Sequence, residues 1–131
     1  MEEKKYKVGQ IVWADLTTNQ AGTLKEFYKA VLGWQEYPVA MKDEDGGYDD
    51  YAMLMDDQSP AGGICNSRGQ NANLPATWIP YIYVEDVEGS LAKSLDLGGK
   101  LIHESKKKDG TYNYVIVQDP AGAVFGFGKM Q

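Results

Sequence analysis

The chain has 131 residues, inside the one-domain range of roughly 100–200 residues, and its 43% apolar content is enough for one real core. A net charge of −6, from 13 Lys+Arg against 19 Asp+Glu, argues against a nucleic-acid partner, because a phosphate backbone needs clustered cations. No apolar run nears the ~20 residues of a membrane span, and Met1-Glu2-Glu3-Lys4-Lys5 does not read as a signal peptide.

Val8 to Thr17 reads as a strand, followed by polar Thr18-Asn19-Gln20 and a helix. Leu24, Phe27, Tyr28 and Val31 fall at helical spacing, with Asn19 or Thr18 as the cap and Gly33 as the left-handed stop. Strand material follows at Trp34–Met41, Tyr51–Met55 and Gly62–Cys65, separated by the acidic loop Asp43–Asp50 and the turn Asp56–Pro60. The plan then repeats. Trp78–Val84 is a strand, Glu85-Asp86 a break, and Val87, Leu91 and Leu95 a helical stripe that stops at Gly98-Gly99. Lys100–Glu104, Tyr112–Gln118 and Ala123–Gly128 are three further strands, joined by an Asp109-Gly110 turn and by Asp119-Pro120-Ala121-Gly122. "GTL" at Gly22–Leu24 echoes "GSL" at Gly89–Leu91, so each half is β-α-β-β-β and the chain reads as a duplicated unit. One domain over 1–131 is expected, with module one at about 8–66 and module two at about 76–129.

Several features invite a chemical reading and favour a plain one. Counted from Asp43, the twelfth position of a calcium loop is Leu54 instead of Glu, so Asp43–Asp50 is read as a solvated acidic loop. GxGxxG and P-loop patterns are absent, and Gly62, Gly63, Gly126 and Gly128 are read as strand glycines that let a ligand or backbone approach. His103, the single histidine, removes every site needing two imidazoles and is read as a partly exposed strand residue before a general base. Cys65 cannot form an internal disulfide. It is read as a small apolar residue, its lone thiol suited to the reducing cytoplasm. Lys106-Lys107-Lys108 is read as a solvated hairpin tip.

Alternation is more telling. Val12, Ala14 and Leu16 share one face of the first strand, with Trp13, Asp15 and Thr17 on the other. In the matching strand, Pro80, Ile82 and Val84 oppose Ile79, Tyr81 and Tyr83. The aliphatic faces are seats for the helices. The faces carrying large aromatics and a carboxylate are read as a cavity wall or an interface.

"FYKAVLGW" at Phe27–Trp34, "YVEDVEGSLAKSLDLGGKLI" at Tyr83–Ile102 and "DPAGAVFGF" at Asp119–Phe127 together resemble the vicinal-oxygen-chelate superfamily, which holds glyoxalase I, bleomycin-resistance proteins and extradiol dioxygenases. The resemblance implies an α+β fold of two βαβββ modules. Their strands would form a U-shaped mixed sheet around a cavity, with the helices on its outer face. In metal-dependent members, the first and last strands of each module supply ligands. Carried over, those positions fall on Trp13, Gly63 or Ile64, Ile79 and Gly126, none of them a side-chain ligand.

The expectation is therefore a metal-free, cofactor-free protein of this glyoxalase/bleomycin-resistance type that binds a small, flat, partly aromatic molecule. Trp13, Tyr81 and Ile79 would offer contact surface and Asp15 and Tyr83 polar groups, while Gly63 and Gly126 would leave room where metal ligands otherwise project. The rival readings are a lyase or other enzyme using Asp15 as general base or an unplaced metal, and a structural protein with a buried aromatic face. Expected partners are a small-molecule ligand and a second copy of the chain, with neither nucleic acid nor membrane.

Overall fold

The structure is a computed structural model that describes residues 6–129; Met1–Lys5, read above as no signal peptide, lie outside the described residues. Both expected modules are present. Module one runs β1 (Ile11–Thr18), α1 (Ala21–Leu32), β2 (Gln35–Asp43), β3 (Gly46–Leu54) and β4 (Pro60–Asn66). Module two runs β5 (Trp78–Tyr83), α2 (Val87–Asp96), β6 (Lys100–Lys106), β7 (Tyr112–Gln118) and β8 (Val124–Gly128). The class is α+β, with parallel and antiparallel pairs in each half.

The chain divides into two compact units, Ala14–Trp78 and Ile79–Gln131 together with the residues up to Trp13. In the first the strand order is β2-β3-β4-β1, with β1 parallel to β4 through Asp15↔Gly63 and Thr17↔Cys65. In the second it is β5-β8-β7-β6, with β5 parallel to β8 through Tyr81↔Gly126. The stretch before β1 belongs to the second unit because Gly9 N–H donates to Tyr83 O (2.8 Å) and Tyr83 N–H donates to Gln10 O (2.8 Å).

Local chemistry explains most element ends. Gly33 ends α1 in the left-handed region at φ 75°, its N–H on Lys29 O. The Asp86 side chain caps α2 by accepting from Gly89 N–H at 3.0 Å. At α1 the cap falls on Gln20 without a side-chain bond, and Thr18 Oγ1 instead accepts from Gln20 N–H. The acidic segment is not a long loop. β2 and β3 pair as far as Asp43↔Gly46, leaving Glu44-Asp45 as the turn, and Asp43 takes a two-pronged bond from Arg68 (2.9 Å each). That guanidinium lies over the Tyr48 ring and holds the Asp43 carboxyl below its ordinary range.

The α1 stripe also turned out differently. Ala21 is buried and Leu24 and Tyr28 are half-buried, but Phe27 and Val31 stand 57% and 61% exposed. At 3.6 residues per turn, Phe27 points about 100° away from Tyr28 and about 120° away from Ala21. The face toward the strands is centred instead between Tyr28 and Lys25. Lys25 Nζ is held there by Glu36 (2.7 Å) and Glu26 (2.6 Å), 5.1 Å from the Tyr51 ring centre.

Each unit has its own core. Under α1, Ala21, Met53 and Ile64 are covered by Tyr28, Trp34, Tyr51 and Trp78. Under α2, Val87, Leu91, Val115, Val117 and Phe127 pack together, with Ile82 and Val84 against them as alternation predicts.

Candidate functional site

The face of each half that turns away from its helix carries the polar and aromatic residues. In module two the registers put Tyr81, Gly126, Ile116 and His103 in one row across β5, β8, β7 and β6. Tyr114 sits one step along, opposite Gly128 and Ser105. Tyr81 and Tyr114 meet edge to face, ring centres 5.6 Å apart at 90°, and the His103 ring lies 5.9 Å from that of Tyr114. Ile79, Tyr81 and Tyr83 are 0%, 5% and 9% exposed, whereas Tyr114 and His103 are half-buried. Tyr83 packs on Tyr6, ring centres 6.0 Å apart.

His103 is the unusual member. Its Nε2 is buried and has no hydrogen-bond partner among the described residues. Burial lowers the pKa of this imidazole below its ordinary value, against the opposing pull of the Glu104 charge. The neutral ring is thus the favoured form near pH 7.

In module one the corresponding row holds Trp13, Asp15 and Thr17 on β1, with Gly63 and Cys65 opposite on β4. Trp13 and Asp15 are half-buried, and Thr17 and Gly63 are buried. The Asp50 carboxylate beside them is buried and accepts from Asn66 N–H (2.8 Å) and Nδ2 (2.9 Å). Burial, reinforced by the Asp15 and Asp50 charges, pushes the Cys65 thiol up, so it stays protonated and unreactive, as its reading as a small apolar residue requires.

Of the residues singled out in sequence, Tyr81 and Gly126 are neighbours across β5–β8, and Asp15 and Gly63 are neighbours across β1–β4. One reason given for Gly126 changes. A Cβ there would come within 2.6 Å of the Tyr81 ring, so the missing side chain makes space for that ring and none for a ligand. Tyr114 was not picked out, and His103 is the partly exposed strand residue that the sequence suggests, but its place on this face was not foreseen. The bulge in β6 between Leu101 and His103 decides which face His103 takes, and no strict alternation reveals a bulge.

These positions do not fit a metal. Ile79 is fully buried and apolar, and Gly126 is sealed by Tyr81. Among the described residues no three His, Cys, Asp or Glu side chains are grouped to hold an ion. Nor is any described helix long and apolar enough to cross a membrane.

Comparison with known proteins agrees with this architecture. CFP32 of Mycobacterium bovis and of Mycobacterium tuberculosis, proteins that carry the name of a glyoxylase, are each 25% identical over 123 residues. That match covers 94% of this chain, which spans 45% of the length of those relatives. Among solved structures, the hypothetical protein BH1468 of Bacillus halodurans superposes with a TM-score of 0.61 at 11% identity, covering 95% of this chain and 96% of that one. A glyoxalase/bleomycin resistance protein/dioxygenase superfamily member from Vibrio splendidus gives 0.56 at 19%, covering 93% and 99%. Streptomyces coelicolor methylmalonyl-CoA epimerase gives 0.55 at 13%, covering 94% and 98%. At such identities the structures share the fold alone. The glyoxalase-like domain model matches residues 11–127, nearly the whole of both βαβββ modules, and the chain therefore belongs to that family, within the vicinal-oxygen-chelate superfamily.

Proposed function

We propose that this protein is a metal-free binding module for a small, flat, partly aromatic molecule, received on the face of the module-two strands that turns away from α2. The observation that carries this reading is His103 Nε2, a buried nitrogen that no described residue satisfies, set beside the Tyr114 ring. Leaving such an atom unpaired costs about 1–3 kcal/mol, a cost relieved by any water or ligand that supplies the missing hydrogen bond. Trp13 and Tyr114 supply half-buried aromatic surface, with Tyr81 and Ile79 behind. Tyr83 supplies a polar handle at the end of β5.

Because His103 is the single histidine, its imidazole ¹⁵N signals identify themselves. Titration with phenol, indole and benzoate as probes is expected to move them saturably, together with the Tyr114 ring signals, for at least one probe. Trp13→Ala is expected to weaken that probe by about 1–3 kcal/mol. If no probe moves either residue at millimolar concentration, the reading fails. Elemental analysis after dialysis without chelator is expected to find no stoichiometric metal. Near one equivalent of zinc, iron, nickel or manganese, with a melting point that drops in EDTA, would promote an enzyme in its place. We further propose a homodimer, since Tyr37, Val39 and Met41 stand exposed on the edge strand β2. A monomer mass by light scattering across micromolar concentrations would contradict it.

A further inference from the structure

The opposite, helix-bearing side of module two holds a recess unrelated to the site above. It has a volume of about 330 Å³, at the lower end of the ~300–1,000 Å³ range of small-molecule sites. Ile82, Val84 and Phe125 form its floor, and α2 forms one wall. Phe125 is itself braced by Phe127, ring centres 5.9 Å apart. Leu97 and Pro120 overhang the rim, Leu97 being 77% exposed.

The polar groups at the mouth are few and unequal. Asp119 remains a carboxylate at the mouth, with its Oδ1 accepting from Ala121 N–H (2.8 Å) and Ala123 N–H (3.0 Å) to hold its own turn. Ser90 and Ser94 are small hydroxyls on the helix wall. Lys93 makes no ion pair among the described residues, although the chain carries six more negative charges than positive. An apolar floor with one uncommitted ammonium at its edge is complementary to an amphipathic anion.

We propose that this recess is a second ligand site, taking a monocarboxylate with a short aliphatic or aromatic body. The body lies on Ile82, Val84 and Phe125, and the carboxylate pairs with the Lys93 ammonium. The site stands independently of the binding face described above, because the two lie on opposite faces of the module-two strands.

Octanoate and 1-octanol are suitable probes, alike in body and different in head group. With the full chain, octanoate is expected to shift the Ile82 and Val84 methyl signals saturably and to bind about tenfold more tightly than octanol. Lys93→Met, a change at an exposed position, is expected to remove that preference and leave octanol binding unchanged. Ser90→Phe is expected to fill the mouth and abolish both. Three results would overturn the proposal. One is the absence of methyl shifts at millimolar octanoate. Another is equal binding of the two probes to the unmodified protein. The last is self-association by sedimentation that Ser90→Phe abolishes, since the recess would then be occupied by a second copy.

Discussion

The two modules share one plan and close the layer between helix and strands by different means. Under α1, in the unit Ala14–Trp78, the layer is sealed by rings, one of them from Trp78 at the start of β5. Tyr28 stacks on Trp34 (6.0 Å, 23°), Trp78 meets both edge-on at 5.3 and 5.9 Å, and Trp78 Nε1–H donates to Tyr28 OH at 3.0 Å. The offset that sets Gly89 on Gly22 sets Leu95 on Tyr28 and Leu101 on Trp34, and these leucines are 47% and 40% exposed. Module two closes instead with Val87, Leu91, Val115, Val117 and Phe127, and keeps an open recess beside its helix. Duplication preserves the order of elements, because the turns and caps that set it are short local signals. It does not preserve volume, since any large residue can be exchanged once its neighbours adjust. A layer closed without interlocked rings leaves a recess beside α2, whereas under α1 three rings meet and fill the layer.

The strongest way to break this comparison is to remove one of those rings. Trp78→Ala is expected to cost about 3–4 kcal/mol in urea unfolding, because it deletes two ring contacts and leaves the Tyr28 hydroxyl without its donor. In module two Leu95→Ala, at the position that corresponds to Tyr28, is expected to cost under about 1 kcal/mol, as the side chain is already half in water. Comparable losses would show that the two layers are packed alike. On β1, Leu16→Ala is expected to destabilise more than Trp13→Ala, Leu16 being buried opposite Ile64 and Trp13 only half-buried. The reverse order would invert the faces assigned to that strand. Next in size is Gly126→Ala, expected to cost about 1–3 kcal/mol because the new methyl must displace the Tyr81 ring.

His103 sharpens the comparison in the other direction. His103→Leu is expected to raise stability by roughly 1 kcal/mol, since it removes an unsatisfied buried nitrogen, while weakening any ligand held there. The pH dependence has a definite sign. Burial sets the folded pKa of His103 below the unfolded value of about 6.5, so between them the unfolded chain binds more protons. Stability from this group is full above about pH 6.5 and is lost as the pH falls through the folded value. His103→Leu should flatten that part of the curve, and an unchanged curve would mean that the imidazole titrates freely.

How far these features could be read in advance depends on the range of the forces behind them. Strands, helices, the Gly33 stop and the separation of Ile82 and Val84 from Tyr81 and Tyr83 follow from spacing and local chemistry, and all are found in place. The β2–β3 hairpin was hidden because its acidic residues suggest a loop. What holds it in register is Arg68, distant in sequence, on Asp43. The rotation of α1 was hidden for the same reason, since Lys25 is drawn inward by Glu36 on the next strand. In the candidate site, the Tyr81–Gly126 pair was legible as a face but not as a ring filling a glycine's space. His103 reached that face through a bulge.

The smallest expected effect concerns that same ion cluster, which has no equivalent among the described residues of module two. Glu36 accepts from both Lys25 (2.7 Å) and Lys29 (2.8 Å), and tethers α1 to the first residues of β2. Its side chain is a quarter exposed, so most of the Coulomb gain is screened, and Glu36→Gln is expected to cost about 0.5–1 kcal/mol. The two lysines, Lys25 foremost, hold the Glu36 carboxyl below its ordinary pKa. Its contribution is therefore present above the unfolded value of about 4.3 and is lost as the pH falls through the folded one. High salt should shrink the difference between Glu36→Gln and the unmodified chain, because exposed pairs are screened within about 3 Å at 1 M. The aromatic trio should hardly respond to salt. If 1 M salt leaves the Glu36→Gln difference intact, the cluster is better shielded than its exposure implies, and module one owes its closure to charge as well as to its rings.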